Sequence, residues 1–120
     1  MRISFDFDGV LLHLHFDEDG ECIRSPNLKM LNLFNSLQRE LHEVIILTSR
    51  WEKNEKCSHI ISVEGFCHQH LLQPHATQFT NGVNKGLFMH NQLLKIDMHF
   101  DDDPTELASL PKDCQGILVI

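Results

Sequence analysis

Residues 3–12, near the start of the chain, have the sequence ISFDFDGVLL. The apolar run of residues 2–7 predicts a buried β-strand, and Gly9 predicts the turn that follows it. Asp6 and Asp8 close this strand, although an ionised carboxylate is among the side chains least readily buried. We therefore expect a compensating group beside these two carboxylates.

Composition bounds the class of protein. The chain has 120 residues, of which 42% are hydrophobic and 22% charged, and these values are typical of one globular domain over residues 1–120. The formal net charge of −7, without a cluster of lysine and arginine, argues against non-specific binding to nucleic acid or to a membrane surface. Because the pattern shows no export signal, membrane span or CxxC pair, we expect a cytoplasmic protein with reduced cysteines.

Segments with strand-like and helix-like patterns alternate along the chain. A hairpin flap is predicted at about residues 11–24, with its turn at Asp19-Gly20. Ser25-Pro26 predicts the start of a helix, with serine as the cap and proline as the first helical residue. The alternation predicts a three-layer, Rossmann-like α/β fold with a mainly parallel central sheet. Later strands are predicted at 44–47, near Leu71-Leu72, at 96–100 and at 116–120, and later helices at 51–64, 85–94 and 104–110.

Polar side chains follow three of the predicted strands. Asp6 and Asp8 end the first strand, Thr48 ends the strand 44–47, and Asp101-Asp102-Asp103 end the strand 96–100. The carboxyl ends of parallel strands share one edge of a sheet, and ligands bind at that edge. We therefore expect one crevice that holds these residues together with the amino group of Lys85. Such a set suits a phosphate and a metal ion.

Several of these residues have simpler explanations. Thr48 could cap the helix predicted after it, and Lys85 could be a solvated residue in a first helical turn, where the helix dipole disfavours a cation. Lys95 competes for the role of Lys85, but it precedes a strand and so belongs at the opposite edge of the sheet. Asp103, followed by proline and then by Glu106 three positions on, has the pattern of a capping box, which predicts a helix cap.

Four segments, taken together and in order, resemble the four motifs of the haloacid dehalogenase-like superfamily of phosphohydrolases. Each segment alone is commonplace, but each lies at the end of a predicted strand or the start of a predicted helix. The motifs span residues 5–104, so the resemblance covers most of the chain. The segments are Asp6-Phe7-Asp8-Gly9-Val10, Val44-Ile45-Ile46-Leu47-Thr48, Val83-Asn84-Lys85-Gly86 and Phe100-Asp101-Asp102-Asp103-Pro104.

The resemblance implies a Mg²⁺-dependent phosphomonoesterase. Asp6 would be the nucleophile that forms an aspartyl-phosphate, and Asp8 would act as general acid and then as general base. Thr48 would donate a hydrogen bond to a phosphoryl oxygen. Lys85 would place its positive charge against the phosphoryl group and against Asp6.

The resemblance also implies the ligands of the metal ion. These would be a carboxylate oxygen of Asp6, the main-chain carbonyl of Asp8, the side chain of Asp102 and the phosphate, with waters completing an octahedron. Asp102 fits the metal position of the family motif better than Asp101, which could ligate through water or orient Lys85. The commoner form of this motif has glycine before aspartate, so the choice between Asp101 and Asp102 stays open.

The substrate class also stays open. The intervals between the motifs are too short for a cap domain, so the resemblance implies an open site of the capless type, which suits a large substrate or a homo-oligomer. The alternatives are a non-catalytic module that binds a partner or a metal, and a phosphotransferase. The candidate substrate-binding residues, for a phosphorylated small molecule or macromolecule, are Thr48, Ser49, Arg50 and Lys85.

A second metal hypothesis concerns the cysteines and histidines of residues 57–75. Their spacing could supply one pair of zinc ligands, but no second pair with conventional spacing completes a tetrahedron. Surface or half-buried histidines are the simpler interpretation.

Overall fold

The computed structural model describes residues 1–57 and 59–120, in which strands and helices alternate. The central sheet has five parallel strands, and two further strands form a separate antiparallel hairpin, the flap. The elements are β1 (Arg2–Phe5), β2 (Leu12–Phe16), β3 (Cys22–Pro26), α1 (Leu28–Arg39), β4 (Glu43–Thr48), α2 (Val63–Gln69), β5 (Thr77–Phe79), α3 (Lys85–Asn91), β6 (Met98–Asp101), α4 (Pro104–Ala108) and β7 (Gln115–Leu118). The sheet order is β5-β4-β1-β6-β7, with β2 and β3 in the flap. The predicted α/β fold with a parallel central sheet is confirmed.

Both faces of the central sheet are covered, which makes three layers. Val44 and Ile46 belong to a core with Phe34 of α1, whereas Ile45 and Leu47 belong to a core with Met89 of α3. A continuous apolar run such as this one is expected in a strand that is buried on both faces. Since all five strands are parallel, their carboxyl ends lie along one edge of the sheet.

Helix α1 starts later than predicted. Ser25 and Pro26 belong to β3, because the hairpin pairing continues until Pro26 lies opposite Leu12. The cap of the helix is Asn27, whose side chain accepts a hydrogen bond from the backbone N–H of Met30. The prediction that Ser25 caps this helix is therefore wrong.

The helix predicted for residues 51–64 is also wrong. One 3₁₀ turn, Glu52–Asn54, is present in this range, and α2 begins only near its end. Arg50 donates a hydrogen bond to the carbonyl of Ile61 at 2.7 Å, and this contact holds the segment in an irregular course. Ser58, which falls in this range and in the predicted zinc segment 57–75, lies outside the described residues.

The strand predicted near Leu71-Leu72 is misplaced. Leu71 follows the end of α2 with a φ of 58°, which lies outside the strand region. The edge strand β5 comes later, and its three residues, Thr-Gln-Phe, are too few to show a strand pattern. The other predicted strands and helices are present as β1, β4, β6, β7, α3 and α4, with ends shifted by a few residues.

None of the helices in the described part of the chain is long and apolar enough to cross a membrane. The four cysteines have free thiols, of which Cys22 and Cys57 are exposed and Cys67 and Cys114 are buried.

Candidate active site

A crevice of about 440 Å³ lies at the carboxyl edge of the central sheet. It collects acidic side chains from the ends of β1 and β6 and from the start of α4, one lysine from α3, and Leu14 from the flap. The structure therefore brings together most of the residues that the sequence predicts. Those that line the crevice are Asp6, Asp8, Ser49, Lys85, Asp101 and Asp102.

Lys85 is buried against Asp6. Its ammonium lies 3.0 Å from Asp6 Oδ1, and the two side chains are only 2% and 9% exposed. The same carboxylate oxygen accepts a hydrogen bond from the backbone N–H of Phe7 at 2.8 Å. Burial raises the pKa of Asp6 well above its usual range; Lys85 opposes this shift and Asp101 adds to it. Because both contacts fall on Oδ1, the other oxygen of Asp6 is left for a ligand or a substrate.

Asp101 holds Lys85 from the other side. Its Oδ2 accepts hydrogen bonds from the Lys85 ammonium and from His99 Nε2, and its Oδ1 accepts one from the backbone N–H of Asp103. Burial opposes the ionisation of Asp101, but the contacts with His99 and Lys85 outweigh burial and hold its pKa well below the usual range. Since both oxygens are engaged within the protein, the geometry favours an orienting role for Asp101 over metal ligation.

Sequence reasoning misses two buried residues behind Asp101. Ser4 and His99 are register partners on β1 and β6, both are fully buried, and Ser4 Oγ lies 2.6 Å from His99 Nδ1. Burial lowers the pKa of the His99 imidazole. A signal for them exists in the sequence: each lies two residues before a site aspartate, and residues two apart in a strand share one face of the sheet.

Asp102 stands at the surface of the crevice, against Gly9. Gly9 has a φ of 85°, so its backbone conformation favours glycine, and a Cβ atom on residue 9 would lie 2.0 Å from Asp102 Oδ2 and would displace that side chain. Asp6, Asp101 and Asp102 each offer a carboxylate oxygen, and these oxygens lie within 4.8 Å of one another. Burial raises the pKa of Asp102, and the charge of Asp101 adds to the shift.

This group of oxygens fits a divalent cation. These three carboxylates are accompanied by one ammonium, that of Lys85, which contacts Asp6 and Asp101, so two negative charges are uncompensated when all three are ionised. The pKa values of Asp6 and Asp102, raised chiefly by burial, reflect the free-energy cost of that charge. Mg²⁺ and Ca²⁺ prefer oxygen ligands, whereas structural zinc sites use mostly cysteine and histidine.

The cysteines and histidines of the zinc hypothesis do not converge. Within the described part of residues 57–75, no three of them lie close enough to share an ion. His75 Nδ1 instead accepts a hydrogen bond from the backbone N–H of Val44. A larger cavity, of about 890 Å³, lies beside α2 and β5, but none of the predicted catalytic residues lines it.

Asp8 forms a two-pronged ion pair with Arg50. Nε and Nη2 of Arg50 lie 2.7 Å and 2.9 Å from the two oxygens of Asp8. The remaining nitrogen, Nη1, donates to Glu55 at 3.0 Å and to the carbonyl of Ile61, and the guanidinium lies over the ring of Phe7. Four of the five side-chain N–H groups of Arg50 are thus engaged within the described part of the protein, and the second N–H of Nη2 has no partner there. The contact of Arg50 with substrate stays a prediction.

Thr48 and Ser49 follow one another at the end of β4 but differ in exposure. Thr48 is buried, and its hydroxyl oxygen accepts a hydrogen bond from the backbone N–H of Arg50 at 3.2 Å. It caps no helix, since the 3₁₀ turn that follows is preceded by Trp51. Ser49 is exposed in the crevice. Their roles toward a phosphoryl group stay predictions.

The start of α4 is tied to the start of α3. Asp103 caps α4, as predicted, because its side chain accepts a hydrogen bond from the backbone N–H of Thr105. Glu106 does not complete the capping box; its carboxylate accepts a hydrogen bond from the backbone N–H of Lys85 at 2.9 Å. The contact helps to place Lys85 in the crevice. Lys95 is exposed, and its carbonyl contacts Arg2 at the opposite edge of the sheet.

Two solved structures have similar folds at low sequence identity. A hypothetical protein from Xanthomonas campestris matches with a TM-score of 0.50 and 21% identity, over 91% of this chain and 59% of that protein. A protein from Vibrio cholerae, provisionally described as a 3-deoxy-D-manno-octulosonate 8-phosphate phosphatase, matches with a TM-score of 0.51 and 16% identity, over 94% of this chain and 64% of that protein. The chain thus spans about three fifths of the length of each of these proteins.

No family model and no curated protein matches the sequence. The likeness to the two solved structures lies in the fold, a parallel α/β sheet flanked by helices, and one of the two proteins that share it is described as a phosphatase.

Proposed function

We propose that this protein is a Mg²⁺-dependent phosphohydrolase of the haloacid dehalogenase-like type, with Asp6 as its nucleophile. The observation that carries the proposal is the setting of Asp6, whose Oδ1 is held by Lys85 and Phe7 while carboxylate oxygens of Asp101 and Asp102 lie within 4.8 Å of an oxygen of Asp6. The order of the four sequence motifs and the fold shared with a protein described as a phosphatase support the same function.

In the proposed reaction, a carboxylate oxygen of Asp6 attacks the phosphorus of a phosphate monoester. A P–O bond forms to Asp6 while the bond to the alcohol oxygen breaks, and the departing oxygen takes a proton from Asp8. Asp8 then removes a proton from a water molecule, which attacks the phosphorus and releases inorganic phosphate from Asp6. Lys85 orients Asp6 and offsets the negative charge of the phosphoryl group. The hydroxyl group of Thr48 donates a hydrogen bond to a phosphoryl oxygen.

Asp6, Asp102 and the main-chain carbonyl of Asp8 would hold the magnesium ion. No hydrogen bond between the described residues uses that carbonyl, so it is available as a ligand. When bound, Mg²⁺ supplies positive charge that stabilises the phosphoryl oxygens and the anionic form of Asp6. In this proposal Asp101 orients Lys85 and is not a metal ligand, because its oxygens are already engaged with Lys85, His99 and a backbone N–H.

The ion pair between Asp8 and Arg50 sets a condition on the proton transfers. Both oxygens of Asp8 accept hydrogen bonds from the guanidinium, so Asp8 must release at least one of them before it carries a proton to the departing oxygen. The Asp8 side chain is 36% exposed at the crevice and has room for this movement. Arg50 thereby positions Asp8 between turnovers.

The substrate belongs to the same proposal. We propose a phosphorylated small molecule or macromolecule, contacted by Thr48, Ser49, Arg50 and Lys85. Within the described residues the flap is the element that reaches over the crevice, so the substrate itself or a second copy of the chain would complete its closure. A cytoplasmic location, without non-specific binding to nucleic acid or membranes, completes the proposal.

The test is the release of inorganic phosphate from an aryl phosphate and from a panel of phosphorylated metabolites, with and without Mg²⁺. We expect Mg²⁺-dependent turnover by the wild type and by Asp113→Asn, an exposed control. Asp6→Asn keeps the shape but removes the nucleophile, and should lose activity on the order of 10³-fold or more. Asp102→Asn should need a higher Mg²⁺ concentration for its activity.

A different result would point to the alternative function. If the wild type releases no phosphate from any substrate, and calorimetry shows equal Mg²⁺ binding by the wild type and Asp6→Asn, the protein is a non-catalytic binding module.

A further inference from the structure

A buried polar chain runs from the middle of the central sheet to Lys85. Ser4 Oγ lies 2.6 Å from His99 Nδ1, and His99 Nε2 lies 2.8 Å from Asp101 Oδ2. That carboxylate oxygen also accepts the hydrogen bond from the Lys85 ammonium. Ser4, His99 and Asp101 are buried, so bulk solvent does not reach these contacts.

The chemistry of the groups sets the direction of the hydrogen bonds. An ionised Asp101 can only accept, so His99 Nε2 must carry a proton. The Nδ1 atom of a neutral imidazole is then an acceptor, and Ser4 must donate its hydroxyl proton to it. Donation therefore runs from Ser4 to His99 and from His99 to Asp101. This order selects one tautomer of His99 and one orientation of its ring.

The fold itself does not require these polar groups. A serine and a histidine buried between strands cost free energy unless their hydrogen bonds are satisfied, and apolar side chains would fill the same positions without that condition. The neighbouring strand β4 contributes Ile45 and Leu47 to this side of the sheet. Among the described residues, the one side-chain hydrogen-bond partner of this pair outside the pair itself is the Asp101 oxygen that holds Lys85.

We infer that Ser4 and His99 are positioning residues, which fix the carboxylate of Asp101 and through it the ammonium of Lys85 against Asp6. The inference rests on the proposed function of this site. The Lys85 ammonium is shared between two carboxylates, of which Asp6 also has to react. A firmly oriented Asp101 keeps Lys85 in place while the charge on Asp6 changes during the reaction.

Three variants test the inference with kcat, KM and thermal stability measured for each, on an aryl phosphate with saturating Mg²⁺. Ser4→Ala and His99→Phe should lower kcat about tenfold, as loss of an outer hydrogen-bond partner does elsewhere, and leave KM within about twofold of the wild type. His99→Gln should recover part of kcat, because its amide N–H can donate to Asp101. The control is His75→Phe, which removes a histidine hydrogen bond at the opposite edge of the sheet and should leave kcat unchanged.

An unchanged kcat in Ser4→Ala and His99→Phe would overturn the inference, whatever their loss of stability. If His99→Phe does not fold, Ser4→Ala decides it in the same way. NMR of the histidine ring nitrogens adds a measurement that needs no turnover: Nε2 of His99 should be protonated and Nδ1 should not. The opposite tautomer would refute the order of hydrogen bonds from Ser4 through His99 to Asp101. A wild type without activity would instead refute the proposed function.

Discussion

The ammonium of Lys85 lies 3.0 Å from Asp6 Oδ1 and at the same time binds Asp101, among side chains that are 2%, 9% and 1% exposed. A cation in this position satisfies two anions that have almost no access to water. Its removal would leave both carboxylates in a medium of low polarity, where an unpaired charge is costly. Lys85 is therefore tied to the stability of the protein as well as to the proposed reaction.

Replacement of Lys85 by methionine keeps the bulk of the side chain and removes its charge. We expect the free energy of unfolding to fall by about 3–5 kcal/mol, since Asp6 and Asp101 lose their shared partner, and turnover to disappear. Urea denaturation and phosphate release measure the two effects. Lys95→Met, at an exposed position, should stay within about 0.5 kcal/mol of the wild type. Wild-type turnover in folded Lys85→Met would contradict the role of Lys85.

The two-pronged ion pair between Arg50 and Asp8 can be tested by Arg50→Lys. Lysine keeps the charge but cannot bind both oxygens of Asp8 and also reach Glu55. We expect a loss of about 1–3 kcal/mol in the free energy of unfolding, because the half-buried acceptors Glu55 and Ile61 lose their donors. If Arg50 positions Asp8, kcat should fall as well. Arg39→Lys, at an exposed arginine whose side chain donates a hydrogen bond to Ser36, is the matched control. A full wild-type kcat in Arg50→Lys would show that Arg50 does not position Asp8.

A methyl group on Gly9 should displace Asp102. Gly9→Ala strains a backbone with a φ of 85° and places Cβ against the Asp102 carboxylate, whereas Gly20→Ala strains a similar φ of 79° in open space. We expect Gly20→Ala to cost about 1–2 kcal/mol, without an effect on Mg²⁺. Gly9→Ala should cost more and weaken Mg²⁺ binding at least about tenfold, as measured by calorimetry. Equal Mg²⁺ affinities in the two variants would exclude Asp102 as a ligand.

Because two thiols are buried, we expect the folding stability of the protein to fall at alkaline pH. Burial raises the pKa of Cys67 to about 11 and, with a contribution from Asp97, raises that of Cys114 to about 11. An unfolded thiol ionises near pH 8.5, so above about that pH the unfolded chain binds fewer protons than the folded one. The thiol contribution to stability is thus complete below about pH 8.5 and is lost as the pH rises toward about 11.

Melting temperatures measured between about pH 8 and about pH 10.5 check this expectation. The double variant Cys67→Ala/Cys114→Ala should show a shallower decline with pH than the wild type. Cys22→Ala/Cys57→Ala, which removes the exposed thiols, is the control and should keep the wild-type decline. Equal slopes in both double variants would assign the alkaline effect to other groups.

The parallel sheet and the edge that carries the carboxylates follow from local signals. Val44–Leu47 is a short, continuous apolar run, which is typical of a strand buried on both faces. Asp6 and Asp101 each lie at the end of a predicted strand, and parallel strands bring their carboxyl ends to one edge whatever the details of packing. Local signals failed at Ser25-Pro26, where the sequence has the pattern of a helix start but pairing with β2 keeps both residues in a strand.

The partners of the site residues depend on contacts between distant parts of the chain. Arg50 meets Asp8 across 42 residues, and Ser4 meets His99 across 95, because the strand order places their elements side by side. Asp101 and Asp102 are adjacent and chemically identical, and the sequence could not separate their roles. The end of β6 turns Asp101 inward to Lys85 and His99 and leaves Asp102 at the crevice.

The physical reason for this division is the range of the forces involved. Strand and helix formation respond to patterns over a few neighbouring residues. Hydrogen bonds and ion pairs require a donor and an acceptor about 3 Å apart, and for groups remote in sequence only the packed fold sets that distance.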